Sequence, residues 1–196
     1  MDITSTPNLK PFRDYDPHEV LNVYAHNLSE VNKGTFVTVT AAEGNTNVSQ
    51  NANSPATPHV GDAGDLSVNS PSRATIKRQA VSWKIDTAVS GDTVLGVMLY
   101  DVKEENAWGE KFIFKPRHER HEQQIVVSGE AVPVLTRGVV KINGFVGTPG
   151  PNSGAVVSTG NNSGLLHVSA YGTAGTVGKF VTSADADGYA IFKVEL

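Results

Sequence analysis

The sequence contains no cysteine. Disulfides, thiolate metal sites and cysteine nucleophiles are therefore excluded, and packing, hydrogen bonding and association must supply the stability. No apolar run approaches the roughly 20 residues that a membrane-crossing helix needs. Aromatic residues make up 7% of the chain, two of them tryptophan, and charged residues only 18%. The opening Met-Asp-Ile-Thr-Ser-Thr-Pro has no basic stretch leading into an apolar one, so no secretory signal is expected and synthesis belongs in a cytoplasm. The formal net charge of −4 provides no broad positive field for phosphate backbones. Neither nucleic acid nor membrane is an expected partner.

What the 196 residues do contain is glycine, serine, threonine, asparagine and valine. That mixture suits strands joined by tight turns and suits helical bundles poorly. Thr35 to Thr40 alternates as a strand, and in Ala80 to Ile85 the residues Val81, Trp83 and Ile85 share a face, with Trp83 in the core. Thr93 to Val102 is nearly continuous apolar sequence, as expected of a strand covered on both faces. Further strands are expected from Ile125, Ala131, Val139, Leu165 and Val177. A final strand, Tyr189 to Leu196, places Ala190, Phe192, Val194 and Leu196 on one face. Residues 43–58 read as a polar surface loop and Gly147 to Gly164 as another. Many short strands with glycine-rich turns argue an all-β chain: a compact antiparallel barrel or sandwich.

Residues 1–34 differ from the rest. Pro7, Pro11 and Pro17 favour an extended path. Asp16-Pro17-His18-Glu19 has helix-capping chemistry, whereas Val20 to Ala25 suits a strand. This gives an N-terminal arm or first strand over 1–34 and one β domain over 35–196. Residues 103–122 carry ten charges of both signs around Phe112-Ile113-Phe114, and read as a projecting charged hairpin or a solvated edge strand. Trp108, between Ala107 and Gly109 at the expected tip, is either an interface anchor or a partly covered surface residue.

No catalytic, cofactor or metal site is assigned. Ser, His and carboxylates occur without a Gly-x-Ser-x-Gly elbow. His118 and His121 would share a helix face, but strand- or loop-like surroundings favour solvated polar residues. Asp14-Tyr15-Asp16 with His18, and Asp185 with Asp187 before Gly188, lack calcium-loop spacing, and Asp185 to Gly188 is better read as a hairpin turn. Gly172-Thr173-Ala174-Gly175 lacks the Gly-Lys-Ser/Thr ending of a phosphate loop.

The stretch from Gly172 through Lys179-Phe180, then Asp187-Gly188-Tyr189-Ala190-Ile191-Phe192-Lys193-Val194, resembles the end of the β domain in head decoration (cement) proteins of tailed bacteriophages. Val94 to Asp101, Gly129 to Val134 and Arg137-Gly138-Val139-Val140 add to the resemblance. It implies a small barrel or β-tulip behind an extended N-terminal arm, placed on the virion capsid surface. It also implies binding to the major capsid protein and self-association, as a homotrimer before a homodimer. On this reading Phe12, Tyr15, Val20, Leu21, Val23 and Tyr24 anchor the arm, although residues 20–25 equally serve as the first strand of the body. A phage tail, baseplate or receptor-binding structural protein is the alternative.

Overall fold

A computed structural model describes residues 7–12, 15–24, 30–40, 84–127 and 130–196. The polar stretch 43–58 and Trp83 lie outside the described residues. The chain is all-β in character, with one short helix among the described residues.

Five strands close on themselves as a small ring: β2 (Val20–Tyr24), β3 (Phe36–Thr40), β4 (Lys84–Thr87), β5 (Val94–Met98) and β8 (Ala131–Leu135). The order is β2–β4–β3–β5–β8, and the β2–β4 join rests on one parallel pair, Tyr24↔Lys84. Two two-residue strands, β6 (Asp101–Val102) and β7 (Ile125–Val126), pair in parallel beside the ring. The second layer is a seven-stranded sheet. It contains β1 (Leu9–Pro11), β9 (Arg137–Ile142), β10 (Phe145–Val146), β11 (Gly154–Val157), β12 (Leu166–Ser169), β13 (Gly178–Phe180) and β14 (Ala190–Glu195). Its order is β1–β9–β14–β13–β11–β12–β10. Most pairings are antiparallel as expected, but β2–β4, β6–β7 and β10–β12 are parallel.

Alternation along the ring strands divides the core in two. Val37, Ile85, Met98, Val132 and Val134 fill the ring interior together with Val102 and Val126. Their neighbours Phe36, Val97 and Leu135 point the other way, onto Val140, Ile142, Phe180, Phe192 and Val194 of the large sheet. Strands β3, β5 and β8 are thus buried on both faces, which is why the Val94 run carries almost no polar residue. That run is two strands rather than one, because the chain bends at Leu99–Tyr100 before β6.

The described strands of the N-terminal stretch pair with the body. Leu9, Lys10 and Pro11 pair with Ile142, Lys141 and Val140 of β9. Asp16 then caps a 3-10 turn, Pro17–Glu19, its carboxylate accepting the His18 N–H at 2.9 Å. Val20–Tyr24 follows as β2, zipped along its whole length to β8. Both signals in this stretch are real: the cap makes the turn and the β-branched run makes the strand.

Two expectations need correction. Residues 103–122 are not one hairpin. A tight loop is closed by the Glu105↔Lys111 bridge, and a 3-10 turn (Phe112–Phe114) and α1 (Arg117–Glu122) follow. Pro116 immediately precedes α1, a position where its missing N–H costs nothing. The Gly147–Gly164 stretch is not only loop either. It contains β11, whose small Gly154 and Ala155 are wholly buried between neighbouring strands.

Gly164 stitches the two layers through its backbone. Its carbonyl accepts the Phe36 N–H and its own N–H donates to the Ala88 carbonyl, both at 2.8 Å. It stands at φ +76°, and a Cβ there would lie 2.4 Å from Thr35 Cγ2 and 2.7 Å from Thr87 Cγ2. Gly172, at φ +91°, has open space around it. Gly164→Ala should therefore lower unfolding stability by about 3 kcal/mol, combining left-handed strain with overpacking. Gly172→Ala should cost only about 1 kcal/mol, from strain alone. Urea denaturation of the two variants checks the difference.

Candidate docking surface

The segment from Lys103 to Val127 forms a lobe with a core of its own. Phe112 packs with Ile125 and Val127, and Lys103 N–H donates to the Val126 carbonyl at 3.0 Å. A 3-10 turn spaces successive side chains about 120° apart, so only one in three can face inward. Phe112 takes that place. Ile113 is left 63% exposed and Phe114 84% exposed.

The tip of the loop is fixed by Asn106. Its Oδ1 accepts the N–H groups of Trp108 and Glu110, each at 2.9 Å, and its Nδ2 donates to Glu110 Oε2 at 2.7 Å. Lys115 pairs with Glu110 at 3.0 Å, and hydrogen bonds from Lys115 and Asn106 hold the Glu110 carboxyl below the usual range. Trp108 stands 86% exposed at the apex of this ordered turn. Large apolar side chains exposed on a well-braced turn are what a protein-binding surface requires, since little conformational freedom is lost on contact.

The helix is fastened to the body by a buried ion pair. Arg120, 7% exposed, meets Glu130 in a fork: Nη1 to Oε2 at 2.5 Å and Nη2 to Oε1 at 2.9 Å. Glu130 Oε2 also accepts the Val127 N–H at 3.0 Å. Burial pushes the Glu130 carboxyl upward, but the Arg120 fork, the Val127 N–H and the charges of Arg120 and Arg117 outweigh it and hold the carboxyl below its ordinary value. The Tyr100 and His121 rings meet edge-on at 5.8 Å on the same side of the lobe.

The expected anchors divide. Trp108 lies on the lobe. Phe12 and Leu21 are 51% and 43% exposed at two separate places on the N-terminal stretch. Tyr15 and Val20 pack against the main core, and burial raises the Tyr15 hydroxyl to about 12. The backbones of Val23 and Tyr24 run in β2, but their side chains lie outside the described residues. Ile113 and Phe114 are the residues that sequence reasoning passed over. The signal was present, as three consecutive large apolar residues inside a dense charge cluster.

His118 and His121 do stand on a helix, contrary to the strand- or loop-like reading of that stretch, and His121 Nε2 accepts from Arg117 Nε at 3.3 Å. Among the described residues no three His, Asp or Glu side chains gather as a metal-binding group. Asp185 closes its turn by accepting the Asp187 and Tyr189 N–H groups and takes Lys141 Nζ at 2.7 Å. Asp14 lies outside the described residues. A shallow cleft of about 450 Å³ opens between the 89–92 turn and the 173–175 loop. Its one carboxylate, Asp92, is spent on the Val89 N–H at 2.9 Å.

No protein-family model matches the chain, and no curated protein matches it.

Breaking the Arg120–Glu130 fork should loosen the lobe. Arg120→Ala is expected to cost roughly 2–3 kcal/mol, below the range for a fully buried pair because Glu130 is 27% exposed and reaches water. The Glu130 carboxyl sits below its ordinary value of 4.5, so its contribution is complete above that pH and is lost as pH falls through the lowered folded-state value. Thermal melts from pH 6 to 3 should show this acid-side loss in the parent and a smaller one in Glu130→Gln.

Proposed function

We propose that this chain is a non-enzymatic structural protein of a tailed-phage virion that binds the outer face of the assembled capsid lattice and stabilises it. The supporting observation is the braced lobe with Trp108, Ile113 and Phe114 directed into solvent. The capsid as target comes from the resemblance of the strand and turn motifs. The lobe itself argues only that the partner is a protein surface.

Magnitudes decide how such a surface would work. Each aromatic side chain offers roughly 150–250 Å² of contact, at about 25 cal/mol per Å² of apolar area. Two aromatics and an isoleucine give a gross gain on the order of 10 kcal/mol, against an association cost of roughly 4–15 kcal/mol. One copy therefore holds weakly. A homotrimer presenting three lobes to a repeating lattice turns the second and third contacts into intramolecular events. Because the ligand is the assembled lattice and not the free subunit, binding shifts the equilibrium toward the intact shell. A tail or baseplate location would use the same lobe on a different part of the particle.

The test is co-sedimentation with purified particles, scored against the shell protein. A fixed ratio matching the number of lattice positions supports the capsid, and enrichment with isolated tails moves the protein there. Trp108→Ala with Phe114→Ala should abolish co-sedimentation while leaving the melting temperature within about 2 °C, because neither side chain is buried. Undiminished binding by this double variant would remove the lobe from the account.

A further inference from the structure

The outward face of the seven-stranded sheet, uncovered by other strands among the described residues, carries an arrangement that sheet stability alone would not select. Along β1, β9, β14 and β13 the inward residues are apolar and buried, and the outward positions include Lys10, Lys141, Lys193 and Lys179. The register sets Lys10 directly opposite Lys141, and Lys179 directly opposite Lys193. Like charges in directly opposed cross-strand positions destabilise a sheet. The two pairs are also linked. Lys141 faces Ile191, and Lys193 is two residues further along the same strand. The four lysines therefore form one diagonal row across four strands.

In each pair one lysine is matched by a carboxylate and a tyrosine ring lies beneath the other. Lys141 pairs with Asp185 at 2.7 Å, and Lys10 Nζ sits 4.2 Å from the centre of the Tyr189 ring, which Lys141 Nζ also approaches at 5.4 Å. Lys193 pairs with Glu195, while Lys179 Nζ sits 5.2 Å from the centre of the Tyr171 ring. Tyr171 hydroxyl also donates to Glu195 at 3.2 Å. Arg137 stands opposite Glu195 at the end of the row, and Asp187 adds its charge near Lys141. Five cations thus share the face with three carboxylates, in a chain whose overall charge is −4. The positive charge has been gathered here against the balance of the molecule.

The geometry points to this lysine row as a docking site for a carboxylate-rich protein surface. Charge complementarity carries the choice of partner. Lys10 and Lys179 rest on aromatic rings, with no ion pair of their own among the described residues, so an incoming carboxylate finds two positioned donors three strand spacings apart. Nucleic acid fits less well. The two tyrosine faces that would stack on bases are covered by lysine. A carboxylate-rich protein surface needs no such stacking platform. The inference is independent of where the protein resides.

The experiment uses the full chain and the double substitution Lys10→Gln with Lys179→Gln. Binding to poly-L-glutamate and to duplex DNA is measured at low and at physiological salt, with the melting temperature recorded alongside. The parent should bind poly-L-glutamate in preference to DNA, more weakly as salt rises. The double variant should lose affinity on the order of tenfold, two exposed charge contacts being removed. Its melting temperature should hold or rise, since the substitutions relieve repulsion; a purely structural role would lower it. Absence of binding to poly-L-glutamate at low salt, unchanged affinity in the variant, or a preference for DNA lost in the variant would each overturn the proposal.

Discussion

Four phenylalanines in edge-to-face contact form a chain through the core, and one link, Phe36 to Phe192, joins the five-stranded ring to the seven-stranded sheet. Phe36 of β3 meets Phe192 of β14 at 6.0 Å, Phe192 meets Phe180 of β13 at 4.9 Å, and Phe180 meets Phe145 of β10 at 5.4 Å. Such contacts contribute about 0.5–1.5 kcal/mol each beyond the area they bury. Val97 and Leu135 pack into the same core cluster, and beside Phe36 the backbone of Gly164 bonds to both Phe36 and Ala88. A chain without disulfides and with few aromatics has placed several of those aromatics on this seam.

Everything outward depends on that seam being rigid. The lobe is mounted on the β6–β7 pair beside the ring and on Glu130, immediately before β8. The lysine row lies on the far side of the very strands whose inner faces carry Phe180 and Phe192. Two surfaces of different chemistry, one apolar on a braced turn and one cationic on a sheet, are thus fixed relative to one core. An apolar anchor supplies most of the affinity of a protein contact, whereas charge complementarity supplies orientation and rate.

Much of the fold was legible in the residues. The alternation Ala190, Phe192, Val194 marks β14 without ambiguity, and the unbroken run after Thr93 announces a strand covered twice. Asp16-Pro17 and the valines after it offer a helix cap or a strand as alternatives, and the structure contains both, a short capped 3-10 turn and then β2. What escaped is equally physical. Helix α1 consists of six charged or histidine residues, so no apolar period reveals it; it stands because Arg120 finds Glu130 ten residues later. Strand β11 hides in a glycine-rich stretch because close neighbours leave room only for small side chains. The lysine row is invisible in sequence because its members come from residues 10, 141, 179 and 193, and only register makes them neighbours. At the lobe, the exposed tryptophan could be anticipated from its position, but the exposure of Ile113 and Phe114 follows from the three-residue period of a turn that the sequence did not announce.

The central claim is that the Trp108 lobe is the surface by which this protein joins an assembly. A cryo-EM map of particles bearing the protein tests it most directly. The account predicts density from another chain enclosing Trp108 and Phe114, with the seam between ring and sheet free of contacts. A map in which the lobe projects into solvent while the protein is held elsewhere would contradict it.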